Sequence, residues 1–81
     1  MRRLSYRPAV ESTLERMDTS NRNRIRKALE TYASSGSGDV RALHGEFRGL
    51  YRLRVGKWRV IFTLESDLVR VISIDNRGQA Y

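Results

Sequence analysis

The chain has 81 residues, of which 16 are Lys or Arg and nine are Asp or Glu, giving a formal net charge of +7. This length suits one domain with a modest core, so we treat residues 1–81 as a single domain. Fourteen of the basic residues are arginines, whose planar guanidinium grips phosphate and stacks on bases, which indicates a nucleic-acid partner. The alternative is an ordinary basic protein from an arginine-rich proteome. The positions of the arginines must decide between this interpretation and binding of nucleic acid.

Several classes of protein are disfavoured by what the sequence lacks. There is no cysteine, which excludes a disulfide framework and a thiolate zinc site. No apolar run approaches membrane-spanning length, and no apolar stretch follows Arg2 and Arg3 as it would in a secretory signal. We therefore expect a cytoplasmic protein.

The N-terminal half predicts a short strand and two helices. Residues 3–7 are typical of a strand, and Pro8 suits the first turn of a helix that continues to about residue 18. Residues 19–21 interrupt the apolar spacing, and a second helix is predicted from about residue 22 to residue 34. The Ser- and Gly-rich tract at residues 34–39 predicts a flexible loop.

Residues 50–62, LYRLRVGKWRVIF, predict two strands joined by a two-residue turn at Gly56 and Lys57. This turn sets the register of the hairpin, with Arg54 directly across from Arg59. One face can then be buried. It carries Tyr51, Leu53, Val55, Trp58, Val60 and Phe62.

The other face of the hairpin carries Arg52, Arg54 and Arg59, and we call it the arginine face. Like charges directly opposite each other destabilise a sheet. Such a conflict with a local rule is typical of a functional site. A phosphate bound between Arg54 and Arg59 would explain why the pair is there.

The remaining segments complete an α+β fold. Residues 40–49 give no clear element, whereas residues 65–67 predict a turn and residues 68–75 a third strand of the same meander. The order β-α-α-β-β-β predicts two N-terminal helices packed on one face of an antiparallel sheet. With a turn at Ser66 and Asp67, Ile61, Ile72 and Ile74 would lie on the arginine face, which would then need cover from the chain or a partner.

Most familiar catalytic chemistries find no support in the sequence. Nucleophilic triads need a base beside a Ser or Cys, but the only histidine, His44, reads as a loop residue next to a glycine. A metal nuclease needs clustered carboxylates, and Glu65, Asp67 and Asp75 lie near strand ends. Glu65 and Asp67 are typical turn residues, however, so a metal site is not expected. There is no Gly-rich phosphate loop. We expect no metal and no cofactor.

Arginine and tyrosine remain as candidates for chemistry. Arginine stays protonated, so it can grip a phosphodiester and stabilise the charge of a transition state. A tyrosine whose pKa is lowered by such neighbours can transfer a proton. Arg77 and Tyr81 follow the third strand and could join the arginine face. Together these groups could cleave RNA through its own 2′-hydroxyl, or the face could bind nucleic acid passively. The residues alone leave both interpretations open.

The segments LHGEFRGLYRLRVGKWRVIFTLE and VRVISIDNRGQAY resemble the RelE/ParE superfamily of toxins from bacterial type II toxin–antitoxin systems. The resemblance implies a small RelE-like fold and a cognate antitoxin as partner. RelE-type members cleave mRNA in the ribosomal A site without a metal, through the RNA 2′-hydroxyl. ParE-type members share the fold but inhibit DNA gyrase.

The resemblance also implies roles for individual residues. Arg59 matches the arginine that holds the scissile phosphate, and Arg77 matches the one proposed to stabilise the transition state or leaving group. Tyr81 matches the C-terminal tyrosine that orients or deprotonates the 2′-hydroxyl. The predicted catalytic residues are Arg54, Arg59, Arg77 and Tyr81, and the predicted RNA-binding residues are Arg48, Arg52, Arg54 and Lys57.

Three positions depart from the family pattern near the late arginine. Asp75 stands where Gly is common, Asn76 where His or Lys is common, and Gly78 where a second basic residue is common. These changes lower the local positive charge and remove a possible acid–base group. The prediction is a ribosome-dependent endoribonuclease acting on mRNA. The alternatives are a ParE-like gyrase inhibitor without nuclease activity and a passive RNA-binding module.

Overall fold

The computed structural model describes residues 1–76, which form two helices packed on one face of a five-stranded sheet. The strands are β1 (Arg3–Tyr6), β2 (Asp39–Ala42), β3 (Tyr51–Val55), β4 (Trp58–Glu65) and β5 (Leu68–Asn76), and the helices are α1 (Pro8–Arg16) and α2 (Thr19–Ser35). A short 3-10 helix, Gly45–Phe47, follows β2. The predicted α+β architecture is confirmed.

The sheet is mixed, which corrects the prediction of an antiparallel sheet. Its strand order is β1-β5-β4-β3-β2, and β1 pairs with β5 in parallel while the other neighbours are antiparallel. The chain leaves β1 through the helical layer and enters the sheet at the opposite edge. The meander then brings β5 back beside β1, running in the same direction.

Helix α1 begins at Pro8 as predicted, but α2 begins three residues earlier than the apolar spacing indicates. Residues 19–21 form its first turn, with Asp18 at the N-cap position, where its Oδ1 accepts a hydrogen bond of 2.6 Å from the side-chain Nδ2 of Asn21 rather than from a backbone N–H. Gly36 ends α2 in the left-handed conformation, with φ of 81°. The helices bury Val10, Leu14, Ile25, Leu29, Tyr32 and Ala33 against the sheet.

The β3–β4 hairpin has the predicted register, with Val55 paired to Trp58 and Tyr51 to Phe62. Gly56 in the turn has φ of 60°, a conformation that favours glycine, and the end of the Arg24 side chain of α2 lies 2.8 Å from where a Cβ on Gly56 would be. The predicted core face is confirmed. Leu53, Val55, Val60 and Phe62 are buried, and Tyr51 and Trp58 pack against them half-buried.

A β-bulge in β5 changes which of its side chains face the core. Ile61 pairs with Ser73 but Phe62 pairs with Val71, so Ile72 is the extra residue. Ile74 consequently lies across from Val60 and belongs to the core, contrary to the prediction that it lies on the arginine face. Asp75 takes the place across from Arg59 instead.

Candidate phosphate-binding site

The predicted pairing of two arginines across neighbouring strands is confirmed. Arg54 of β3 lies directly opposite Arg59 of β4, and both side chains are on the face of the sheet that the helices do not cover. Arg54 is exposed and Arg59 is half-buried. Directly opposite residues in a sheet have Cβ atoms roughly 5 Å apart, so one phosphate can contact both guanidinium groups.

Two carboxylates extend this pair into a row of four side chains across four strands. Asp39 of β2 lies opposite Arg54, and Asp75 of β5 lies opposite Arg59. Sequence reasoning placed neither of them here. Asp39 read as the end of a flexible loop, although the alternation in DVRA is a short strand signal, and the position of Asp75 depends on a bulge that leaves no mark in the pattern.

Arg52 lies on the arginine face but is largely covered, with 9% of its surface exposed. Its Nη2 is 3.3 Å from Asp39 Oδ1, which compensates the charge of a guanidinium that has lost most of its contact with water. The described geometry therefore gives Arg52 an ion-pair partner and little exposed surface. Its proposed contact with RNA stays a prediction.

An apolar pocket of about 130 Å³ adjoins the arginine pair and is lined by Leu43, Phe47, Arg52, Arg59 and Ile61. Ile61 is only 3% exposed, because the loop after β2 covers it. The sequence indicated that this face needs cover, and the chain itself supplies part of it. A guanidinium at the rim of an apolar cleft suits a planar ring carrying a phosphate.

Lys57 and Arg48 lie at the edges of the arginine face. Lys57 is exposed in the hairpin turn, and Arg48 is exposed directly after the 3-10 helix. Neither of them, nor Arg54, has a carboxylate within 4.0 Å among residues 1–76. By contrast, four other arginines, of which Arg52 lies on the same face, form ion pairs: Arg3 with Asp67, Arg26 with Glu11, Arg52 with Asp39 and Arg70 with Glu65. Exposed cations without such partners are available to a polyanion.

The two remaining predicted catalytic residues, Arg77 and Tyr81, lie outside the described residues. Within residues 1–76, no group of three or more His, Cys, Asp or Glu could hold a metal ion. His44 is exposed in the loop that leads into the 3-10 helix, as predicted. The described part of the site can therefore bind a phosphate and stabilise charge on it, while proton transfer by Tyr81 and stabilisation of the transition state or leaving group by Arg77 stay predictions.

A second, more open groove of about 320 Å³ lies at the end of α1, lined by Thr13, Arg16, Met17, Asp18 and Trp58. The Trp58 Nε1 atom is buried and has no hydrogen-bond partner in the described part of the chain. Trp58 otherwise packs against the core, as predicted. Neither described helix is long and apolar enough to cross a membrane.

Comparison with known proteins gives one family and a consistent fold. A sequence model of the ParE toxin of the type II toxin–antitoxin system parDE matches residues 4–81. No curated protein sequence matches the chain.

Three solved structures illustrate the shared fold. RelE from Pyrococcus horikoshii OT3, solved with RelB, has a TM-score of 0.80 at 23% identity, covering 98% of each chain. A structure of the YoeB–YefM complex from Staphylococcus aureus has a TM-score of 0.76 at 14% identity, covering 95% of this chain and 98% of that one. YafQ from E. coli has a TM-score of 0.73 at 13% identity, covering 96% of each chain.

Proposed function

This chain belongs to the ParE toxin family of type II toxin–antitoxin systems, and we propose that it acts in the RelE manner. It cleaves mRNA in the ribosomal A site, without a metal, through the RNA 2′-hydroxyl. The observation that carries this proposal is the pairing of Arg54 with Arg59 on the uncovered face of the sheet. A protein-binding surface alone would have no need of two opposed like charges.

In the proposed reaction the RNA 2′-oxygen attacks the adjacent phosphorus and the bond to the 5′-oxygen breaks. The products are a 2′,3′-cyclic phosphate and a free 5′-hydroxyl. Arg54 and Arg59 bind the non-bridging oxygens and stabilise the charge that builds up on them. Tyr81 receives or directs the proton of the 2′-hydroxyl, and Arg77 stabilises the transition state or the leaving oxygen. DNA lacks the 2′-hydroxyl and is not cleaved.

The ribosome supplies the positioning of the RNA that the arginine pair does not provide alone. Among residues 1–76 the row consists of two arginines and two carboxylates and contains no histidine, the side chain that most often transfers protons in catalysis. A site of this kind gains much of its rate from an RNA that is already held in a reactive geometry. We therefore assign mRNA in the ribosomal A site, rather than free RNA, as the substrate.

A cognate antitoxin is the proposed protein partner. The RelE and YoeB structures that share this fold were solved with RelB and YefM. An antitoxin that covers the arginine face would neutralise exposed cations such as Arg54 and Lys57 and exclude RNA. We assign the complex to the cytoplasm, where ribosomes are.

A second candidate function is inhibition of DNA gyrase, and the match to the ParE family model favours it. In that case the fold would serve protein binding, and the arginine pair would have no reaction to perform. Passive RNA binding is a third candidate. Salt-sensitive binding cannot separate it from the enzyme, because any basic surface shows it.

The experiment is a cleavage assay on stalled ribosomes with a defined codon in the A site, beside the same RNA free in solution. EDTA is present throughout, and Arg59→Ala and Tyr81→Phe are the control variants. We expect cuts only on the ribosome, and none with Arg59→Ala. The absence of cuts in both samples would contradict the proposal, and a supercoiling assay with purified gyrase would then test the second candidate.

A further inference from the structure

The row of four side chains on the arginine face has acidic residues at both ends and basic residues in the middle. In strand order it reads Asp39, Arg54, Arg59, Asp75. Its formal charge sums to zero, although the whole chain carries +7. Carboxylates on either side of the two arginines weaken the attraction of a polyanion. Their presence on so basic a protein therefore calls for another explanation.

We propose that Asp39 and Asp75 are specificity-determining residues that confine a single phosphate to the gap between Arg54 and Arg59. The substrate class rests on the proposed function, but the confinement itself concerns only the binding of anions. Neighbouring strands are about 4.8 Å apart, so the row spans roughly 14 Å from end to end. A nucleic-acid backbone laid along the row would bring its next phosphates over the two carboxylates, which repel them.

The same geometry assigns the orientation of the RNA backbone relative to the strands. A backbone that crosses the row runs parallel to β3 and β4 and avoids both carboxylates. On one side of the row it meets Lys57 in the hairpin turn, and on the other it meets the apolar pocket formed with Leu43 and Ile61. A cation lies at one end of this path and an apolar cleft suited to a ring at the other, so the path matches the chemistry of a nucleotide.

Asp39 also acts on the site through Arg52. The 3.3 Å ion pair holds the Arg52 side chain beside β2, and Arg52 keeps little exposed surface. Asp39 thereby keeps a third guanidinium from competing for the phosphate between Arg54 and Arg59. In this respect it is a positioning residue, and replacing it changes both the charge of the row and the place of Arg52.

The test measures binding of a single-stranded DNA oligonucleotide of about 12 nucleotides, a length within the usual range for such sites, which has the phosphates but cannot be cleaved. We expect Asp39→Asn and Asp75→Asn each to tighten binding about fivefold at low ionic strength, which is roughly the effect of one nearby charge. Each should steepen the dependence of log affinity on log salt by about 0.7. Asp39→Glu, which keeps the charge, should bind as the wild type does.

Asp67→Asn is the matched control. Asp67 also forms a 3.3 Å ion pair, with Arg3, but it lies in the turn at the other end of β4. It gives the same gain in net charge away from the row, so we expect little change in binding. If Asp67→Asn tightens binding as much as the other two, or if Asp39→Glu behaves as Asp39→Asn does, the confinement is wrong. Asp75→Asn keeps the test valid should Asp39→Asn fail to fold.

The binding result is independent of the cleavage assay. Tighter binding by both row variants, together with no cleavage on ribosomes, would uphold the confinement and contradict only the proposed reaction. Cleavage by the wild type, together with row variants that bind no tighter than the control, would contradict the confinement alone.

Discussion

Arg59 is the residue on which stability and activity are expected to conflict. It faces Arg54 across the hairpin and also lines the apolar pocket beside Ile61. A leucine at this position removes the repulsion and adds an apolar side chain to an apolar pocket. Asp75 on the neighbouring strand offsets part of the repulsion, so the gain is modest.

We therefore expect Arg59→Leu to raise the free energy of unfolding by about 0.5–1 kcal/mol while abolishing cleavage. Urea denaturation and the ribosome assay measure the two effects on the same preparation. Arg59→Lys is the control, since it keeps the charge but loses the planar fork, and it should retain part of the activity. A large loss of stability in Arg59→Leu would make Arg59 a structural residue.

At the level of elements, one cluster at the edge of the helical layer joins β1 to both helices. The Arg26 guanidinium of α2 lies 5.1 Å from the centre of the Tyr6 ring of β1. The same side chain is 2.9 Å from Glu11 Oε1 of α1. Because β1 is at the edge of the sheet formed by residues 1–76 and pairs there with β5 alone, contacts from the helices contribute to its position.

Loss of this cluster is expected to destabilise the fold without touching the arginine face. Arg26→Ala should lower the free energy of unfolding by about 1 kcal/mol, since the ion pair is partly exposed and the cation–π contact is modest. Arg26→Lys should recover part of the loss. Thermal denaturation, monitored by circular dichroism, measures the change in stability. An Arg26→Ala variant as stable as the wild type would show that β1 does not depend on the cluster.

The cluster also gives the protein a dependence on alkaline pH. Burial raises the pKa of the Tyr6 hydroxyl above its usual value of 10.0, an effect that the nearby Arg26 charge only partly offsets. The unfolded chain loses this proton at a lower pH than the folded protein. The associated stability is therefore present below pH 10 and declines as the pH rises towards the folded-state pKa.

Tyr6→Phe should accordingly flatten the loss of stability above pH 10, measured by urea denaturation at a series of pH values. Below pH 9 the variant and the wild type should show parallel dependence on pH. An equal loss in both proteins above pH 10 would mean that Tyr6 ionises alike in the folded and unfolded chains.

The elements differ in how far the sequence could predict them. The β3–β4 hairpin was predictable to the residue, because a short turn and strict alternation leave one register. Strand β2 was not, because four residues beside a Gly- and Ser-rich tract give a weak signal. The bulge at Ile72 was not predictable either, since no glycine or turn residue marks it in the sequence, and it moves Ile74 into the core.

At the scale of the whole molecule, ion pairs compensate only part of the positive charge of the described residues. Four arginines are paired with carboxylates, whereas Arg48, Arg54 and Lys57 on the arginine face and Arg16, Arg24 and Lys27 on the helical side are exposed with no carboxylate within 4.0 Å among residues 1–76. The composition indicates a polyanion partner, but it cannot show which arginines are already neutralised, because pairs such as Arg3 with Asp67 join distant parts of the chain. The site could thus be predicted as far as its arginines, and its carboxylates only from the fold.

The arginine face predicts a moderate dependence of nucleic-acid binding on salt. Because Arg54 and Arg59 share one phosphate and Arg48 and Lys57 can each contact another, about three phosphates are bound, and log affinity for a single strand should fall with log salt with a slope of about −2. Fluorescence anisotropy over a range of salt concentrations measures this slope. A slope near −10 would mean that most of the 16 basic residues take part, contrary to binding at the arginine face alone.

The position of β5 in the sheet has a consequence for when the protein can complete its fold during synthesis. The last strand to be synthesised lies in the interior of the sheet, between β1 and β4, and its parallel partner β1 is the first strand made. Pairing between such distant segments is slow and cannot precede the synthesis of the second one. A nascent chain still lacking β5 has no complete sheet and no Asp75 beside Arg59. The described sheet, and with it the row on the arginine face, is therefore complete only after β5 has been synthesised.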